Sequence, residues 1–220
     1  MENYLKEFNS IIETEDREKA LQYIRNLLSQ KTLGIIEVYE GVLCPSLNMM
    51  VSTGDVEADI WKEHIRTSII RTIVENCYPY VIEERNEKYG VESHKKVAVI
   101  CPADEHHELG ARMVTDYFTM LGYQSIFVGG NTPKDVFVAG LMSQKMDYIA
   151  ISVSNPYNLI STRNTIEKIR AADKDVKIIV GGNAITKLGE KSQVLNADYY
   201  LTTYEDIISL AGGENDETGI

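Results

Sequence analysis

At 220 residues with 44% hydrophobic side chains, the chain has apolar material for one large domain or two small ones and excludes a disordered polymer. Thirty-three acidic residues against 22 basic ones, a formal charge of −11, exclude a free-standing nucleic-acid binder, because phosphate contact needs clustered Lys and Arg. The apolar runs fall far short of the roughly 20 residues that cross a bilayer, and Met1 to Glu7 has no signal-peptide pattern, so a cytoplasmic, membrane-free protein is expected.

The first ninety residues read as helices. Leu5, Phe8, Ile11 and Ile12 recur at helical spacing, and Thr14-Glu15-Asp16 caps a second helix through Leu28. A third is expected from Leu33 to about Met50, opened by Thr32 and kinked or broken at Pro45. The turn Ser52 to Asp55 leads into a fourth, running from Val56 toward Tyr89, with Ile60, His64, Ser68, Ile69, Ile73 and Cys77 on its packed side and a distortion at Pro79. Short connections make an antiparallel four-helix bundle the economical arrangement. Trp61 and His64, three apart, share a face; the pair reads either as a core tryptophan beside a hydrogen-bonded histidine or as a cover for a ligand held elsewhere. Cys44, Cys77 and Cys101 form no C-x-x-C and are expected to be small buried side chains.

A polar linker, Lys88 to Lys96, separates this cap (residues 1–90) from an α/β domain (95–212) with a flexible tail (213–220). Strands are predicted at 96–101, 125–129, 147–152, 176–180 and 198–201, with helices at 110–121, 133–143, 162–172, after 184 and 204–210. Thr132 is expected to cap the second of these helices, with Pro133 at its first position. Five βα units give an α/β fold, a flavodoxin- or Rossmann-like parallel sheet covered on both faces.

Ligands of open parallel sheets sit beyond the carboxyl ends of the strands. Those ends carry Glu105-His106-His107, Ser152-Val153-Ser154 and Gly181-Gly182. A dinucleotide fingerprint is missing, since Cys101-Pro102-Ala103-Asp104 follows the first strand. A phospho-acceptor receiver is excluded too: Ser152 stands where its aspartate would be, and Thr202-Thr203 where its lysine would be. A metal-reaching histidine loop, small hydroxyls and bare backbone remain, the first being also compatible with a divalent-metal site of His106, His107 and flanking acids.

Glu105-x-His107-x-x-Gly110, Ser152-x-Ser154 and Gly181-Gly182, in this order, resemble the cobalamin (vitamin B12)-binding fold of corrinoid proteins. The usual pattern is D-x-H-x-x-G, then S-x-L or S-x-T, then G-G. The resemblance covers about Val97 to Leu210 and implies that His107 is the lower ligand to cobalt, with cobalamin base-off and His-on. Glu105 would orient it, and His106, Gly110, Ser152, Ser154, Gly181 and Gly182 would line the cofactor's site. A neutral imidazole suits cobalt, and a carboxylate on its other nitrogen fixes the tautomer. Asp104-x-His106 is an alternative register, but Leu109 rather than glycine stands three beyond His106.

Corrinoid carriers and cobalamin sensors both set a four-helix bundle before this domain. Glu63-His64, together with glutamate at Glu105 in place of aspartate, looks most like the cobalamin-binding half of light-sensing MerR-type repressors, with Trp61, Glu63 and His64 near the upper face. Two features depart from them. Thr53, not tryptophan, lies ten before Glu63, and no helix-turn-helix precedes the bundle, so a complete repressor is not expected. The resemblance therefore implies a free-standing cobalamin sensor or regulatory module, with light, as for a photoreceptor, the candidate signal. A methyl-carrying corrinoid protein of a methyltransferase system is the rival, and a storage protein the third reading. Adenosylcobalamin, methylcobalamin and hydroxocobalamin are the candidate cofactors; a second copy, a regulatory protein or a methyltransferase are the candidate partners. No catalytic set of its own is read, since Ser152 and Ser154 lack a general base at motif spacing.

Overall fold

A computed structural model describes residues 1–50, 52–88 and 95–217, with 212–217 by backbone only. The chain divides into two compact units, Met1–Lys88 and Tyr89–Ile220.

The first unit is helical. Helices α1 (Glu2–Ile12) and α2 (Arg17–Ser29) are joined by a turn in which Asp16 accepts a hydrogen bond from Lys19 N (3.0 Å), the capping expected of this residue. The third helical stretch is broken into α3 (Ile35–Val38), a π-helical turn (Tyr39–Leu43) and α4 (Cys44–Asn48). The wide turn lies just ahead of Pro45, whose ring would collide with the carbonyl of the preceding turn in a regular helix. Thr32 does not open this stretch. Gly34 does, with Glu37 accepting from Gly34 N (2.7 Å) and Glu84 from Ile35 N (2.8 Å).

Helix α5 (Val56–Lys88) runs 33 residues and is not broken at the exposed Pro79. At 1.5 Å per residue it is about 50 Å long, and α1 and α2, at 11 and 13 residues, cannot cover it. Its buried stripe is Arg66, Ile69, Ile70, Ile73, Val74, Cys77 and Val81. The packed side predicted from Ile60, His64 and Ser68 is therefore wrong at those three positions, which are exposed, and right at Ile69, Ile73 and Cys77. Buried Arg66 donates to Ser46 O (2.8 Å) and pairs with Glu13, tying α5 to α4 and to the C-terminal end of α1.

The second unit alternates β1 (Lys96–Ile100), α6 (Leu109–Met120), β2 (Gln124–Gly129), α7 (Lys134–Ser143), β3 (Tyr148–Ser152), α8 (Leu159–Ala172), β4 (Lys177–Gly181), α9 (Asn183–Leu188), β5 (Tyr199–Leu201) and α10 (Tyr204–Glu217). All pairings are parallel, in the order β2-β1-β3-β4-β5. The apolar residues of the strands, among them Ala98, Ile100, Ile149, Ile151, Ile178 and Val180, form a core with Ile166 and Ile169 of α8. Each predicted strand and helix is present to within a few residues. Helix α10 runs past the predicted end at Leu210, and residues 218–220 of the expected tail, like most of the linker, lie outside the described residues. Thr132 caps nothing: its hydroxyl donates to Gly129 O (3.2 Å), and α7 starts after Pro133 with no side-chain cap.

This strand order places a switch point between β1 and β3, where the chain leaves for opposite flanks of β1 and a crevice opens beyond the carboxyl ends. The loops after β1 and β3 meet there.

Candidate functional site

The loop from Cys101 to Glu108 follows β1 and carries both histidines. Glu105 is completely buried, and its carboxylate gathers five hydrogen bonds among the described residues. Oε1 accepts from His107 N (3.1 Å) and holds His107 Nδ1 at 2.7 Å. Oε2 accepts from Ser154 N (3.0 Å), Asn155 N (2.9 Å) and Asn158 Nδ2 (3.1 Å). Burial pushes this carboxyl up, but the Asn155 N–H, the Asn158 amide and His107 together outweigh it and hold the group below the usual carboxylate range.

An anionic Glu105 accepts from His107 Nδ1–H, and in the neutral imidazole that tautomer leaves the lone pair on Nε2. The His107 side chain is 62% exposed, and its ring is anchored from behind with its Nε2 edge outward. His106 and Asp104 are exposed, and the Asp104 backbone N–H donates to Asn131 Oδ1 (3.0 Å). The structure therefore builds the Glu105-His107 register. Among the described residues no group of three or more His, Cys, Asp and Glu converges as a metal site, so the divalent-metal alternative finds no ligand set. A macrocycle that brings its own equatorial nitrogens needs a single protein ligand, and the donor chemistry here fits that need.

The other predicted site residues divide. Gly110, on the first turn of α6, has nothing among the described residues within 4 Å of the place a Cβ would take, so their packing does not demand a glycine there. Gly181 and Gly182 are demanded by the protein itself: a Cβ at Gly181 would stand 2.4 Å from Leu201 O, and one at Gly182, where φ is +100°, 2.5 Å from Val153 O. Ser154 enters the site through its backbone N–H, and Ser152 pairs with Gly181 across β3 and β4. Trp61, Glu63 and His64 belong to the helical unit, where all three are exposed. Trp61 is 69% exposed, which overturns its reading as a core residue.

Sequence reasoning missed the asparagines. Asn158 is buried and bridges Glu105 and Asp104 O (3.3 Å). Asn155 and Asn131 add backbone donors to Glu105, at its carboxylate and its carbonyl (2.9 Å) respectively. Their signal was the residue type at strand-end loops, Asn131 beside Gly129-Gly130 and Asn155 before Pro156, which marks turns rather than chemistry.

A family model described as the B12 binding domain matches residues 95–209, more than half of the chain. The chain belongs to the B12-binding domain family. As a B12-binding protein it takes a corrinoid cofactor, and the stretch matched spans β1 to α10 and so contains the Glu105-His107 loop. Its fold is similar to that of the monomethylamine corrinoid protein of Methanosarcina barkeri, at a TM-score of 0.76 and 12% identity over 96% of this chain and 97% of that one. It is also similar to a cobalamin-binding protein from Desulfitobacterium hafniense, at a TM-score of 0.50 and 14% identity over 94% of this chain and 88% of that one. No helix among the described residues is long and apolar enough to cross a membrane.

Proposed function

We propose that this B12-binding protein holds cobalamin base-off through His107 and serves as a methyl-carrying corrinoid protein, loaded and unloaded by partner enzymes. The observation that carries the axial assignment is the 2.7 Å contact of His107 Nδ1 with the fully buried Glu105, which leaves Nε2 as the exposed donor. Bound cobalamin supplies a cobalt centre that accepts and gives up a one-carbon group. The protein's own residues orient and hold: Glu105 keeps the proton on Nδ1, and Ser154, Asn155 and Asn158 keep Glu105 in place. Open space over Gly110 is compatible with a large flat ligand beside α6.

The carrier role is favoured over the sensor role by likeness to the Methanosarcina corrinoid protein over nearly the whole of both chains, helical unit included. Thr53 at the tryptophan position of the light sensors agrees with it. One observation favours the sensor: Trp61, Glu63 and His64 are exposed on one stretch of α5, with glutamate rather than aspartate at Glu105.

Spectra of the protein mixed with hydroxo-, methyl- and adenosylcobalamin, in wild type and His107→Ala, test the axial assignment. A base-off, His-on spectrum lost in the variant supports it, and identical spectra in the two proteins overturn it. Acceptance of a methyl group in the presence of a methyltransferase supports the carrier. A light-driven change of assembly in the adenosylcobalamin complex, without methyl acceptance, would establish the sensor instead.

A further inference from the structure

We infer that Asn131, in the loop after β2, is a positioning residue for the axial histidine, acting through Glu105. This rests on the reading of His107 as the cobalt ligand.

Asn131 grips the Asp104-Glu105 segment at two points. Its Oδ1 accepts from Asp104 N (3.0 Å), and its own N–H donates to Glu105 O (2.9 Å). Both Asp104 (φ 68°) and Asn131 (φ 49°) adopt left-handed backbone, which L-residues other than Asn and Asp rarely accept. Two such residues facing each other and joined by paired bonds lock a backbone shape that neither would keep alone. The neighbouring Gly130 N–H donates to Glu108 Oε2 (2.7 Å), closing the same loop pair on the other side of the histidines. The β3–α8 loop therefore holds the Glu105 carboxylate, while the β2–α7 loop holds the Glu105 backbone. Both grips are needed to aim a side chain that must reach His107 Nδ1 and three donors beyond β3.

The test uses the full chain, uniformly labelled with nitrogen-15, loaded with unlabelled cobalamin and reduced to the paramagnetic cobalt(II) state. An axial nitrogen from the protein splits the electron-spin resonance lines into doublets, and the nucleotide base of cobalamin splits them into triplets. Asn131→Gly keeps left-handed freedom and the backbone donor but loses the acceptor. Asn131→Asp keeps the acceptor, and Asn131→Ala loses both acceptor and backbone preference. The expected result is a doublet in wild type and in Asn131→Asp. The ratio of doublet to other forms should fall roughly fivefold in Asn131→Gly, the worth of one hydrogen bond, and further in Asn131→Ala, with faster release of cobalamin. Doublets unchanged in all three variants overturn the inference and leave the axial assignment standing. An equal loss in Asn131→Asp and Asn131→Gly also overturns it, because the acceptor would then not be the cause. A triplet or unsplit spectrum in wild type overturns the axial assignment, and the role of Asn131 with it.

Discussion

His107 and Glu105 lie two residues apart on the loop after β1, yet one is largely exposed and the other completely buried, and a 2.7 Å hydrogen bond joins them. The buried member orients the exposed one. Five N–H donors converge on a carboxylate that has no solvent of its own.

Glu105→Gln should separate charge from shape. An amide offers one acceptor oxygen where two are used, so its NH2 must face either His107 Nδ1–H or the N–H groups of Ser154 and Asn155. Leaving buried donors unmatched is expected to cost about 1–3 kcal/mol of apo-protein stability, read by urea denaturation. Cobalamin binding should weaken at the same time, read by absorption spectra.

Three glycines of the motif should behave differently. Gly182→Ala forces a side chain into left-handed backbone against Val153 O and should destabilise the cofactor-free protein by on the order of 2–4 kcal/mol. Gly181→Ala collides with Leu201 O and should do likewise. Gly110→Ala collides with nothing among the described residues. Its apo stability should hold or rise by up to about 1 kcal/mol through helix propensity, while cobalamin affinity falls. Thermal melts of the apo proteins beside cofactor titrations distinguish the three.

Asp198 supplies a pH signature away from the site. Burial raises its carboxyl, but Ile178 N–H (2.7 Å) and the paired Arg170 guanidinium more than reverse this, so its folded pKa is depressed. A depressed folded value contributes stability that is fully present above the ordinary carboxylate range and lost as pH falls through the folded value. The wild-type melting temperature should therefore drop below about pH 4, and Asp198→Asn should melt lower at neutral pH with a shallower acid slope.

Thiol chemistry should be slow in the native protein. Burial pushes both the Cys44 and the Cys101 thiols up to about 12, and Cys77 is buried in the helical unit. A thiol reagent at pH 8 should label the folded chain slowly and all three cysteines quickly in denaturant, followed by absorbance.

What could be read from the sequence follows from which physics is local. Strand and helix identity came from periodicity, and Asp16 and Pro45 acted as their chemistry requires. The Glu105-His107 contact itself was legible, because the spacing of both to Gly110 set them apart from Asp104 and His106. The packed face of α5 was misread at Ile60 and His64 because a long amphipathic pattern does not reveal how far its short neighbours extend. Asn131 and Asn158 escaped because their roles depend on loops brought together by strand order, and no spacing along the chain encodes that proximity.

The switch point between β1 and β3 gives the histidine loop two independent abutments, one rooted in each strand that flanks β1. A small sideways displacement of either abutment is delivered to the same imidazole. Evolution, or a protein engineer, can thus trim the aim of His107 from two remote stretches of sequence without touching the histidine itself.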